Sequence, residues 1–192
     1  MLRFLGVLLL LGCCGCASFH GEELARLDPQ ELRTQPRLPP ISYQIREGAN
    51  PNSAEAGAGW PTASSEALFC SAFTGARHGP AEDDLHIDLA HFSVIRQPIF
   101  SMTLVLFTIA SLGIIPTYAE EDYTLTVRVE YKGQLAREYV YKDHVSLWVE
   151  VLLIFWSFTH DPIEIERANF DNMLLHLIRD LRRDIPQIVT DA

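Results

Sequence analysis

Apolar and polar residues alternate most regularly between Tyr123 and Tyr131. Leu125, Val127 and Val129 fall on one side, and Thr124, Thr126, Arg128 and Glu130 on the other. That is the two-residue period of a half-buried strand. Lys132-Gly133 follows as a tight turn, and Gln134 to Lys142 returns with Leu135, Tyr139 and Tyr141 on a semi-regular pattern. The pair predicts a β-hairpin. Leu85-His86-Ile87-Asp88-Leu89 alternates in the same way and is expected to run on to Val94 with a shift of face near His91; Ile41 to Ile45 is a shorter strand of the same kind.

The period changes near the C-terminus. Phe170, Leu174, Leu177, Ile178 and Leu181 recur at helical spacing on one face. Asp161 as N-cap, Pro162 at the first helical position and Glu164 three residues after the cap mark the start. Arg179, Arg182 and Arg183 suit the negative end of the dipole, and Pro186 is expected to lie beyond the helix. Two strongly apolar segments, 98–116 and 145–158, flank the hairpin and are expected to be helical. Residues 47–83, dominated by Gly, Ala, Ser, Pro and Asn, predict a long loop. Before residue 40, Glu22 to Arg33 has room for a turn or two of helix, which Pro29 is expected to interrupt. These elements predict an α+β fold: a small antiparallel sheet with a central β-hairpin, two apolar helical segments and a C-terminal amphipathic helix.

Composition narrows the class. The chain has 192 residues, 48% hydrophobic and 21% charged, enough for one domain and a tether. A net charge of −10 disfavours a nucleic-acid partner and leaves no polybasic patch for anionic lipid heads. The first residues add an address. One positive charge at Arg3, an apolar run from Leu5 to Leu11 and small residues after it have the form of a secretory signal peptide. The run is far shorter than the roughly 18–20 apolar residues that span a bilayer. Leu10-Leu11-Gly12-Cys13 resembles the lipobox of bacterial lipoprotein precursors, a class cut before a cysteine whose thiol carries a diacylglycerol. The resemblance implies residues 1–12 as the leader and Cys13 as the lipidated residue; with Cys16 as the anchor instead, the leader is 1–15. Residues 13–40 are then a lipidated N-terminus and tether, and 41–192 a single α+β domain. No Asp follows Cys13 or Cys16, which in that class implies the periplasmic side of the outer membrane.

Candidate chemistry is sparse. Cys70 is the one cysteine outside the leader region and is expected as a buried small hydrophobe. His86, Asp88 and His91 include both ligand types of a zinc site, with His144 or His160 as possible additions, but their spacing matches no metal motif. A solvated strand face accounts for them as well. Glu120-Glu121-Asp122 reads as a solvated acidic run. No cofactor is expected. The residues therefore point to a lipid-anchored cell-envelope protein with a structural or assembly role, non-enzymatic. Its expected partners are the membrane, through the lipid, and another envelope protein; segments 98–116 and 145–158 are read either as buried in one soluble core, or as a pair dipping into or crossing that membrane, or as a patch covered by the partner. The alternative is a periplasmic metal-binding protein or hydrolase using His86, Asp88 and His91.

Overall fold

The computed structural model describes residues 15–20, 24–47, 63–80, 84–96, 103, 104, 106, 107, 110, 111, 117–150 and 162–190. Its elements, in chain order, are β1 (Gly15–His20), α1 (Pro29–Arg33), β2 (Ile41–Glu47), α2 (Ala63–Ser71), β3 (Ala76–His78), β4 (Leu85–Arg96), β5 (Thr117–Tyr131), β6 (Gln134–Glu150) and α3 (Pro162–Thr190). The fold is α+β. The chain forms two compact units, each discontinuous in sequence.

The larger unit comprises Glu23–Ser93, Tyr123–Asp143 and Arg167–Ala192. Its strands lie in the order β6-β5-β4-β2-β3. β5 and β6 are neighbours joined by Lys132 and Gly133, whose φ values of 51° and 78° are both left-handed. Glycine at the second position carries that conformation without a Cβ penalty. β2 runs parallel to both β3 and β4, with Tyr43 opposite His78 on one side and Ile87 on the other. The sheet is therefore mixed, where the sequence predicted antiparallel strands. The cause lies inside the expected 47–83 loop: α2 forms there and connects β2 to β3, and a crossover of this length permits parallel pairing. Phe69 and Phe73 hold this segment down, with ring centroids 5.0 Å apart and both side chains buried.

Alternation decides which β5 residues are buried. Tyr123, Leu125, Val127 and Val129 are in the core, and their neighbours are half-buried or exposed. Ile165, Phe170, Met173, Leu174, Leu177, Ile178, Leu181 and Ile185 of α3 are also buried. At about 1.5–3 kcal/mol for each large side chain, the helix stripe contributes heavily to stability. α3 begins at Pro162, and the expected cap Asp161 lies outside the described residues. The helix does not stop before Pro186 but runs through it to Thr190, whose hydroxyl donates to the Pro186 carbonyl at 2.7 Å. Pro29 likewise begins α1 rather than interrupting it: Asp28 accepts from the Gln30 N–H at 2.8 Å, and a proline at the first helical position lacks only an N–H that would have had no intrahelical partner.

The smaller unit comprises Met1–Glu22, Val94–Asp122 and His144–Glu166. Here β1 pairs antiparallel with the far end of β6, from Gly15 opposite Glu150 to His20 opposite Val145. Residues 145–150 are thus strand, not the start of a helix. Val145, Leu147 and Val149 alternate with Ser146 and Trp148, a composition that favours a pleated sheet. Residues 151–158 lie outside the described part. In the other apolar segment, Thr103, Leu104, Leu106, Phe107 and Ala110 are helical, and Leu106 and Phe107 are exposed. The acidic run Glu120-Glu121-Asp122 is inside β5, where Arg96 reaches Glu120 at 3.2 Å and Asp122 at 2.7 Å. Among the described residues, no helix is long and apolar enough to cross a membrane.

Candidate functional site

Within the larger unit, α1, α2 and α3 border a cleft of about 430 Å3. Its floor is apolar: Leu32 of α1, Leu68 of α2, and Leu175 and Ile178 of α3. Each comes from its helix by simple periodicity. Leu175, Ile178 and Arg182 are spaced by three and four residues and form one row along α3. Arg182 ends that row with a charge. Its Nη1 donates to Gln35 Oε1 at 2.9 Å, and its Nε is buried without an acceptor. Burial pulls the guanidinium below the ordinary arginine value. Arg37 lines the same cleft and is exposed. Among the described residues neither arginine has a carboxylate partner, and no Asp or Glu lines the cleft.

Several other polar groups of this unit are bound to one another. Tyr43, nearly fully buried, donates to Glu66 Oε1 at 2.5 Å, and Cys70 Sγ lies 3.6 Å from the same hydroxyl. Burial, together with the neighbouring Glu66, pushes the Cys70 thiol up against the opposing effect of Tyr43. A thiol held protonated is a poor nucleophile. Cys70 is half-buried rather than buried, so it is not a pure core hydrophobe. On β6, Tyr139 donates to Asp184 at 2.9 Å and Tyr141 to Asp180 at 2.8 Å. Burial first, then the adjacent carboxylate, raises both phenols above their ordinary range. Arg183, 2.8 Å from Asp184, holds that carboxyl below the usual carboxylate range, helped by Tyr139 and Arg137.

The residues suspected of metal chemistry are not brought together. His86 and Asp88 sit on one face of β4, and both are buried, where a solvated strand face was expected. His86 Nδ1 is hydrogen-bonded to Ser42 Oγ at 2.9 Å, its partner position on β2. His91, three residues beyond Asp88, falls on the opposite face. Its ring stacks on Tyr123 at 5.8 Å and meets the edge of Phe170 at 4.6 Å. Neither ring nitrogen has a hydrogen-bond partner, and desolvation lowers its pKa to about 4. Among the described residues, no three His, Cys, Asp or Glu side chains are grouped to hold a metal. His160 and Cys13 lie outside the described residues; Cys16 is in β1.

No protein-family model and no curated protein matches the chain. The site must therefore be judged by its own chemistry. Arg37 and the wall residues of α2 carried no sequence signal, because the first falls in the expected tether 13–40 and the others in the expected loop 47–83. Arg182 did carry one: it continues an apolar row by helical spacing, the position where a leucine would be expected.

Proposed function

We propose that the protein is a lipid-anchored cell-envelope protein that works by binding, in a structural or assembly role, and not by catalysis. Leu10-Leu11-Gly12-Cys13 supports the anchor, with Cys13 as the acylated residue and Cys16 as the alternative. Two acyl chains hold a protein stably at a membrane where one does not. The absence of Asp after the cysteine favours the periplasmic side of the outer membrane. The central hairpin read from Tyr123 to Lys142 serves as a rigid support for α3, through Tyr139 and Tyr141. Segments 98–116 and 145–158 are the proposed contacts to the membrane or to an envelope partner.

The observation that carries the binding role is the cleft. There Arg37 and Arg182, the second bonded to Gln35, border an apolar floor, and among the described residues no Asp or Glu lines the cleft. Such an arrangement suits recognition: a few polar groups fix orientation and apolar walls supply area. A metal or hydrolase site on His86, Asp88 and His91 finds less support, since the third residue faces away from the other two. Intact mass of the mature chain tests the anchor. A diacylglyceryl group on the first cysteine is expected, lost in Cys13→Ser; persistence of lipid in that variant moves the anchor to Cys16, and an unmodified N-terminus overturns the reading.

A further inference from the structure

We propose that Leu106 and Phe107 enter the lipid leaflet that holds the acylated cysteine, on a helix that lies along the membrane surface and does not cross it; this rests on reading the protein as lipid-anchored. Thr103, Leu106, Phe107 and Ala110 are helical and exposed, at spacings of three and four residues that put them on one face. Leu106 is 68% exposed and Phe107 55%. Leu104 and Ser111, seven residues apart on a neighbouring face, are half-buried. The Ser111 N–H donates to the Phe107 carbonyl at 2.9 Å and closes the last turn. The usual order of an amphipathic helix is thus reversed, with an apolar stripe turned outward. A crossing helix would need lipid on every side, and the Leu104 side is already half covered by protein.

The chemistry of the stripe selects lipid. Residues 97–119 contain no Asp, Glu, Lys, Arg or His. Exposed apolar side chains on the strands lie beside charges instead: Val94 shares its face with Arg96, Leu135 with Arg137, and Val140 with Glu138 and Lys142. Lipid that took in those side chains would take in the charges too, a cost that Leu106 and Phe107 do not carry. With a net charge of −10, burial of apolar surface drives the contact, and attraction to anionic headgroups does not.

The anchor brings lipid to this part of the chain. Leu106 and Phe107 belong to the smaller unit, which also contains residues 1–22. β1 begins at Gly15, two residues after Cys13, and Cys16 lies within it. Two fully extended residues span about 7 Å at most. Acyl chains on either cysteine therefore hold the smaller unit against the bilayer, with no tether on which it could stand away. A surface held this close meets lipid at high effective concentration, so a small apolar stripe suffices to turn it inward.

The test uses the mature acylated chain in POPC vesicles. p-Benzoylphenylalanine replaces Phe107 in one sample and Leu135 in another; each is irradiated, and mass spectrometry reads the adducts. Phospholipid adducts are expected at position 107, at least about tenfold above position 135. Leu106→Asp should lower the yield at position 107 at least about fivefold, and Leu106→Met should leave it unchanged. Replacing about one third of the POPC by POPG should not raise it. Equal yields at positions 107 and 135 overturn the proposal. So do adducts to a second copy of this chain in place of lipid, a Leu106→Asp variant with the original yield, or a yield that depends on POPG. Intact mass separates the two readings. An acylated chain without lipid adducts at position 107 fails the stripe and keeps the anchor; a chain without an acyl group overturns both.

Discussion

Along α3, Phe170, Leu174, Leu177 and Leu181 form one row, and Asn172, His176, Asp180 and Asp184 form another. Both rows are largely withdrawn from water, yet they are held differently. The apolar row needs only a surface to cover it. The polar row needs a partner for each atom, and it finds them in order. Asn172 Oδ1 accepts from the Leu27 N–H at 3.1 Å, and His176 Nε2 donates to the Ala25 carbonyl at 2.7 Å. The His176 ring accepts from Arg179 at 3.0 Å on its other nitrogen. Asp180 and Asp184 take the two tyrosines of β6. The polar row therefore fixes where the segment before α1 and the strand β6 attach, while the apolar row supplies most of the burial. Non-directional burial tolerates a shift in register; a hydrogen-bonded row does not.

The largest expected effect comes from breaking the apolar row. Leu177→Ala should lower stability by about 2–5 kcal/mol in chemical denaturation, the range for a truncated core leucine. A loss below about 0.5 kcal/mol would place this face outside a core.

His91 sharpens the comparison, because it is a polar ring packed on Phe170 of the apolar row without a partner. Its folded pKa of about 4 lies below the ordinary histidine value of 6.5. The unfolded chain binds the extra proton first as pH falls. Stability is thus full above pH 6.5 and is lost between about 6.5 and 4, by about 3 kcal/mol in total. In His91→Phe that loss should vanish from the stability–pH curve, with little change at pH 7, since no hydrogen bond is removed. A variant whose curve keeps the same slope would assign the dependence to another group.

Breaking the polar row costs less. Tyr141→Phe removes one bond to Asp180, which keeps Arg179 at 3.6 Å and Arg183 at 3.7 Å. A loss of about 1–2 kcal/mol is expected, and a double-mutant cycle with Asp180→Asn should show most of it as coupling. Independent, additive losses would mean that the tyrosine and the aspartate do not act as a pair.

The smallest effect is expected where neither kind of burial operates. Arg128 and Glu138 pair at 3.1 Å across β5 and β6, with 56% and 44% of their side chains exposed. Glu138→Gln should cost no more than about 0.5 kcal/mol, and less in high salt. A loss above 1 kcal/mol would show that this surface is covered.

What the sequence determined is what depends on near neighbours along the chain. The strand at Tyr123–Tyr131, the Lys132-Gly133 link, the strand starting at Leu85 and the helical stripe from Phe170 are all set by periods of two and 3.6 residues. The resemblance to a lipobox is equally local. Tertiary structure decided the rest. α2 and the parallel β2 could not be read, because Gly- and Ser-rich surroundings mask a helix whose support, Tyr43 and Phe73, is distant in the chain or outside the helix. The burial of His86 and the separation of His91 from it depend on what lies against each face of β4. The cleft joins Arg182 to Gln35 across 147 positions, and the polar row joins His176 to Ala25 across 151. A side chain's periodicity is fixed by the backbone it sits on, but its partner is chosen only when the chain closes on itself, and no local pattern records that choice.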